Sequence, residues 1–189
     1  VERPLTVYVL IALNVAVYLI TAVQAGSVSG NSDAPLFASW VLVSGLVGQC
    51  WRLFTSGFLH IGPIHLAVNM FSLWVIGKDF ERVLGRLRFL GIYLLSMIGG
   101  SVAAYLFTAP FTYTAGASGA VFGLMGGFTV LLHRLKLSLR PALIVIAANL
   151  VFSVSVPGIS LSAHVGGLIT GTVLTALLLY LHANRTDHS

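Results

Sequence analysis

The sequence predicts an all-α membrane protein, and three observations carry that prediction. The chain of 189 residues is 57% hydrophobic and only 8% charged, against roughly 25% charged residues in an ordinary soluble domain. Its mean hydropathy is +0.97, and the apolar residues fall into long blocks instead of spreading evenly. The basic residues sit in short gaps between those blocks, the pattern of a charged membrane face. So few charges could not cover a water-facing surface, and no block is polar enough for a second domain. Residues 1–189 therefore read as one membrane domain.

Taken in order, the first block runs from Leu5 to Val23, with only Arg3 as a basic residue ahead of it. Ala22 and Ala25 offer weak small-residue cleavage signals, but the block is as long as a full span, so a retained helix is expected over a cleaved leader. A long outer loop follows, from about 24 to 59. Its middle, Pro35 to Val47, is apolar, so short amphipathic pieces lying in the interface or packed over the bundle are expected there. Five more spans are expected at His60–Gly77, Phe89–Phe107, Ser118–His133, Pro141–Val156 and Leu161–His182. Each approaches the ~20 residues that cross ~30 Å of hydrocarbon, although the fourth and fifth are short. The outer end of the fourth is accordingly expected below the membrane surface. The loop before it would dip inward, where irregular backbone is tolerated only against protein or a water-filled cavity.

The net charge of +5 raises nucleic acid as a partner, but the positions of the charges argue against it. Arg3, the Lys78–Arg88 loop, the Arg134–Arg140 loop and Arg185 share one side of a six-span layout, and Arg52 alone lies on the other. The positive-inside rule then puts both termini in the cytoplasm. A basic cytoplasmic face and a compact core suit a bacterial inner membrane. Cys50 is alone, which excludes an internal disulfide and a Cys-based metal site. The chain opens on Val1, not Met, which leaves room for further residues at either end.

Polar groups that enter such spans are informative, because burying them in hydrocarbon is costly. His65 and Asn69 lie near the outer end of the second span, Ser118 opens the fourth, and His164 lies near the start of the sixth. These three spans run in the same direction, so their first turns share the outer half of the membrane. His65 and Asn69, four apart, share a helix face. Gly119, Gly123 and Gly127 recur every four residues on the fourth span, and Gly167 and Gly171 do so on the sixth, on the face that carries His164. Small residues at that spacing let helix backbones approach closely, which a serine hydroxyl and an imidazole need in order to hydrogen-bond.

Serine is a poor nucleophile until a base takes its proton, and histidine suits that task near neutral pH. A carboxylate normally orients the histidine. Here Glu2, Asp79, Glu81 and Asp187 fall on the cytoplasmic side and Asp33 in the outer loop. A Ser118–His164 dyad without a buried third carboxylate is the expectation. The start of the fourth span supplies backbone N–H groups and a favourable dipole for an oxyanion, to which His65 and Asn69 could add donors.

Each of these residues has a plainer reading. Gly116-Ala117-Ser118-Gly119 alone fits helix packing, a lone His164 fits a proton relay, and His65 with Asn69 could simply tie helices together. Convergence at one depth favours chemistry. His60, His65 and His164 as zinc ligands lack an HExxH motif and a nearby carboxylate, so no metal is expected. Solvated surface roles suffice for His133, His182 and His188. Phe122, one turn below Ser118, is core packing by default, with its ring in reach of His164. Trp40, Trp51 and Trp74 read as interface or packing residues. A helix-binding module that does not cut is a competing class. A proton-coupled transporter is disfavoured because inverted repeats, broken helices and acidic relay residues are not evident.

Over most of the chain, from Trp51 to about Gly171, these residues resemble the rhomboid family of intramembrane serine proteases. Trp51-Arg52 precedes the second span, His65-Leu66-Ala67-Val68-Asn69 matches the family's H-x-x-x-N, Gly116-Ala117-Ser118-Gly119 matches its G-x-S-G, and Ala163-His164 with Gly167 and Gly171 matches its last-helix pattern. The resemblance implies a six-transmembrane-helix bundle with a water-filled cavity open to the outside. Ser118 would be the nucleophile and His164 the base, with oxyanion donors from His65, Asn69 and the Gly116–Ser118 segment. It implies transmembrane protein substrates with a single span, cut at or near the outer membrane boundary, usually after a small residue. The lipid bilayer is the surroundings, and no cofactor is needed. Two departures stand out. Phe122 replaces the family's frequent Tyr, keeping a ring but losing a hydroxyl, and Arg82 directly follows Glu81 where the family often spaces Glu-x-Arg.

Overall fold

A computed structural model describes residues 3–156 and 158–186. Glu2, Pro157, Asp187 and His188, and the side chains of His182 and Arg185, lie outside the described residues. The elements are α1 (Leu5–Ala25), α2 (Pro35–Trp40), β1 (Leu42–Val43), α3 (Arg52–Thr55), α4 (Gly62–Leu84), α5 (Arg86–Phe107), β2 (Tyr113–Thr114), α6 (Ser118–Arg134), α7 (Arg140–Ser155) and α8 (Leu161–Thr186). Helices α1, α5 and α8 are each long and apolar enough to cross a bilayer. Arg52–Phe58 and Gly62–Leu84, bent by 95° at the break between them, make a fourth if counted as one span. Helix α7 is apolar but only 16 residues long, and α6 has 17.

A helix occupies each stretch expected to hold one, with informative differences at the ends. His60 was expected to open the second span, but α4 starts at Gly62. Leu59 is extended, and Gly62, at φ +72°, turns the chain into a helix whose first turn carries Pro63. That helix also runs seven residues beyond the expected end at Gly77, because no breaker interrupts it before Gly85, where φ is +81°. The expected Lys78–Arg88 loop is thus mostly helix. Its carboxylate Glu81, placed by the sequence only on the cytoplasmic side, is just 2% exposed. Glu81 accepts hydrogen bonds from the N–H groups of Thr6 (3.0 Å) and Val7 (2.9 Å), the otherwise orphaned donors at the start of α1.

The outer loop packs on the helices. Its apolar side chains Ala34, Phe37, Val41 and Leu59 form a small core of their own. Buried Asn31 stitches it to the break before α4, donating to the His60 carbonyl (2.7 Å) and to Thr21 Oγ1 (3.0 Å), and accepting from the Gly62 N–H (2.9 Å). Arg52, the basic residue set apart by the sequence pattern, donates to the carbonyls of Ala38 (2.8 Å) and Val41 (2.6 Å) at the end of α2. One departure from an all-helical fold is the antiparallel pairing of β1 with β2, Leu42 opposite Thr114 and Val43 opposite Tyr113.

Helix α6 is the hub. It packs against α5 and α8 on two sides and against α4 on a third, and its residues from Gly119 to Gly127 are all buried. Phe80, Phe89, Tyr93 and Met97 join its own Leu124 in the main core. Helix α7 is peripheral: Ile146 and Ser153 are its only buried residues, and Val145, Val151 and Phe152 face outward. An exterior rich in such side chains belongs against lipid.

Candidate active site

Two glycine contacts draw α6 and α8 together, and a third seats α6 on α5. A Cβ at Gly167 would run into the backbone of Gly119, one at Gly171 into the backbone of Gly123, and one at Gly123 into Ser96 of α5. Each pair of expected close-approach glycines therefore meets a partner on the neighbouring helix. Gly127 belongs to the same stripe but faces side chains, those of Thr175 and Phe80.

This approach brings Ser118, the first residue of α6, to His164 in the first turn of α8. The Ser118 Oγ and His164 Nε2 are 2.9 Å apart. Phe122, one helical turn after Ser118, lies flat on the imidazole with centroids 4.2 Å apart and planes at 16°. The missing hydroxyl of the family's usual Tyr does not prevent the stacking.

The segment before Ser118 is held by the loop that leads into α4. The Gly116 N–H donates to the Ser56 carbonyl (3.0 Å) and the Ala117 N–H to His60 Nε2 (3.4 Å). Gly116 has φ +128°, and a Cβ there would lie 2.8 Å from the His65 ring, so glycine is required both for the backbone and for the approach of His65. The first intrahelical bond of α6 runs from the Val121 N–H to the Ala117 carbonyl (3.0 Å). The N–H groups of Ser118, Gly119 and Ala120 precede it and stay available to an anion.

His65 Nδ1 accepts the Ile61 N–H at 3.2 Å. In a neutral imidazole the proton then resides on Nε2, the atom beside Gly116. Asn69 is buried one turn further along, and one of its amide hydrogens is used on the carbonyl of His65 (2.9 Å). The four side chains singled out by the sequence thus fall on three neighbouring helices at the same end of the fold.

Two further residues belong to this constellation. His60 is completely buried, supports Ala117 and packs against His65 at 5.1 Å between centroids. Ser153 of α7 contacts His164 Nδ1 at 2.6 Å. Ser153 shares α7 with Asn149 and Ser155, so the sequence alone did not single it out. Among the described residues no three His, Cys, Asp or Glu side chains form a metal-ligand group. His60, His65 and His164 do not converge as such a set. A groove of about 760 Å³ between α5 and the start of α8, lined by Ala103, Phe107, Ser162 and Gly166 among others, includes neither Ser118 nor His164.

The family model for the Rhomboid domain matches residues 47–181. Rhomboid protease GluP of Bacillus subtilis (strain 168) is 38% identical over 183 residues, covering 93% of this chain and 35% of that protein. RHOMBOID-like protein 6, mitochondrial, of Arabidopsis thaliana is 40% identical over 136 residues, 68% of this chain and 44% of that protein. Rhomboid protease AarA of Providencia stuartii is 31% identical over 207 aligned positions, 93% of this chain and 73% of that protein. The chain therefore spans less than half the length of the first two of these relatives and about three quarters of the third.

Proposed function

The chain belongs to the rhomboid family of integral membrane proteins, and on that premise we propose that it is an intramembrane serine endopeptidase. The observation that carries the proposal is the 2.9 Å approach of Ser118 Oγ to His164 Nε2 at the head of α6. That distance lies within the hydrogen-bond range a nucleophile and its base require.

In the proposed reaction His164 Nε2 takes the Ser118 proton as Oγ attacks the carbonyl carbon of the scissile peptide. The carbonyl oxygen becomes an oxyanion. Its donors are the backbone N–H of Ser118 and the Nε2–H of His65, with Asn69 as a further amide donor and Gly116 giving access. Collapse expels the amine, which receives the proton from the His164 imidazolium, and leaves an acyl-enzyme on Ser118. Water, deprotonated by His164, then attacks the ester; its collapse releases the new carboxyl end and returns the proton to Ser118. None of these steps needs a metal or organic cofactor.

The substrates in this reading are single-span membrane proteins, cut at or near the outer boundary of the bilayer. Six spans are proposed, the bent α3–α4 pair counting as one and the short α6 and α7 as two. Both termini would lie in the cytoplasm, an orientation supported by the basic residues around the α4–α5 and α6–α7 junctions. A bacterial inner membrane suits that charge pattern.

The test is cleavage of a model single-span substrate by purified wild-type chain and by Ser118→Ala in liposomes, with fluorophosphonate labelling in parallel. Cleavage and labelling by wild type alone are expected. Equal labelling of both proteins would overturn Ser118 as nucleophile. Capture of the intact substrate by both, with no product, would indicate a helix-binding protein instead.

A further inference from the structure

His164 has two ring nitrogens, and the dyad accounts for only one. The other, Nδ1, lies 2.6 Å from Ser153 Oγ, and Ser153 Oγ lies 2.7 Å from the main-chain carbonyl of Asn149. With Ser118 Oγ 2.9 Å from Nε2, these atoms form a chain of three contacts across α6, α8 and α7. Its far end fixes its direction. A carbonyl oxygen only accepts, so the single Ser153 hydroxyl hydrogen points to Asn149, and Ser153 Oγ is left as an acceptor. His164 must then carry its proton on Nδ1, which leaves Nε2 with a lone pair facing the Ser118 hydroxyl. The opposite arrangement would have Nε2–H pointing at Ser118, with no base to take the serine proton.

The position of Ser153 agrees with a specific role. Helix α7 is turned outward along nearly all its length, yet Ser153 is only 4% exposed. Ser155 and Asn149 of the same helix make only the local back-bonds to Val151 and Val145; Ser155 is exposed and Asn149 half-buried. Among the described residues the carboxylates lie elsewhere: Glu81 caps α1, Asp79 pairs with Arg82, and Asp33 lies in the short turn before α2.

We propose that Ser153 is a positioning residue that sets the His164 tautomer, a neutral hydroxyl occupying the place that a carboxylate holds in a Ser-His-Asp triad. The inference rests on the protease reading of Ser118 and His164. It assigns α7, otherwise a peripheral helix, one defined contribution to the chemistry. A hydroxyl orients the imidazole as a carboxylate does but supplies no negative charge to the imidazolium, so its removal should cost far less than the roughly 10⁴-fold loss seen when a triad Asp is changed.

The experiment compares wild type, Ser153→Ala, Ser153→Thr and Ser118→Ala as full chains in liposomes, with kcat and KM measured on one transmembrane substrate. Ser153→Ala is expected to lower kcat about tenfold, the order of a lost orienting hydrogen bond, with KM unchanged, whereas Ser153→Thr retains most of the rate. Wild-type kcat in Ser153→Ala would overturn the proposal. So would a loss confined to KM, or equal losses in Ala and Thr, which would mark the position as packing. If wild type cleaves no better than Ser118→Ala, the protease reading falls and this inference with it; an active wild type with an equally active Ser153→Ala removes this inference alone.

Discussion

Phe122 and His164 lie face to face, ring centroids 4.2 Å apart with an interplanar angle of 16°. Because Phe122 sits one turn below Ser118 on the same helix, the helix that presents the nucleophile also braces the base. An aromatic pair of this kind contributes on the order of 1 kcal/mol beyond simple burial. Phe122→Leu should therefore lower kcat about fivefold, following the usual relation between barrier and rate, and Phe122→Tyr should stay near wild type. Steady-state cleavage of a transmembrane substrate measures both. A Leu variant with full kcat would show that the Ser118 and Ser153 contacts suffice to hold the ring.

The pH dependence follows from what Nε2 must do. A protonated imidazole has no lone pair to accept the Ser118 proton, so the rate tracks the neutral fraction of His164. Protonation increases as pH falls, and activity should therefore decline on the acid side and level off on the alkaline side. His60 and His65 flank the same end of the fold and can shape the acid limb as they gain charge. The single-turnover rate constant, followed from about pH 8 down to the acid edge of stable folding, is the check. A rate that rises as pH falls, with chemistry rate-limiting, would rule out His164 as the base.

The residues that meet at the site were legible for a physical reason. A polar side chain in an apolar span is costly, so His65, Asn69, Ser118 and His164 stood out, and the four-residue glycine spacing indicated which helices approach. Ser153 did not stand out, because Asn149, Ser153 and Ser155 look alike along α7 and serines in such helices commonly bond to their own backbone. Burial against α8 separates them, and burial is a tertiary fact. The capping role of Glu81 was illegible for a related reason. A carboxylate near the end of an apolar stretch looks solvated until the start of another helix is found resting on it. The pairing of Leu42–Val43 with Tyr113–Thr114 joins strands too short to carry a periodic pattern.

The glycine stripe makes a sharp contrast within one fold. An added methyl at Gly167 or Gly171 meets backbone of α6, which cannot rotate aside as a side chain can. Gly167→Ala and Gly171→Ala should each destabilise by about 2 kcal/mol or more, as overpacking does, and should separate Ser118 from His164. At Gly91, on the solvent- or lipid-accessible part of α5, nothing lies within 4 Å of an added Cβ. Gly91→Ala should stabilise by about 0.5 kcal/mol through reduced freedom of the unfolded chain. Thermal unfolding midpoints in one detergent would read all three. A Gly167→Ala protein as stable and active as wild type would contradict the close α6–α8 contact.

Glu81 provides the counterpart at the other end of α4, about 24 Å beyond His65 at roughly 1.5 Å per residue. Its two carboxylate oxygens each take one N–H from the first turn of α1, at 3.0 and 2.9 Å. Pro4, just before that helix, has no N–H to satisfy, so Thr6 and Val7 are among the first donors needing a partner. Glu81→Gln keeps one acceptor oxygen but turns an NH₂ group toward the second N–H. A buried donor then faces a donor, and a loss of about 1–3 kcal/mol is expected. Asp79→Asn two residues earlier removes the exposed pair with Arg82, whose side chains are 61% and 42% exposed, and should change stability by less than about 1 kcal/mol. Chemical or thermal unfolding would separate the two variants, while kcat measured well below the transition should match wild type in both. Equal stability of Glu81→Gln and wild type would mean that water serves the α1 N–H groups as well as the carboxylate does.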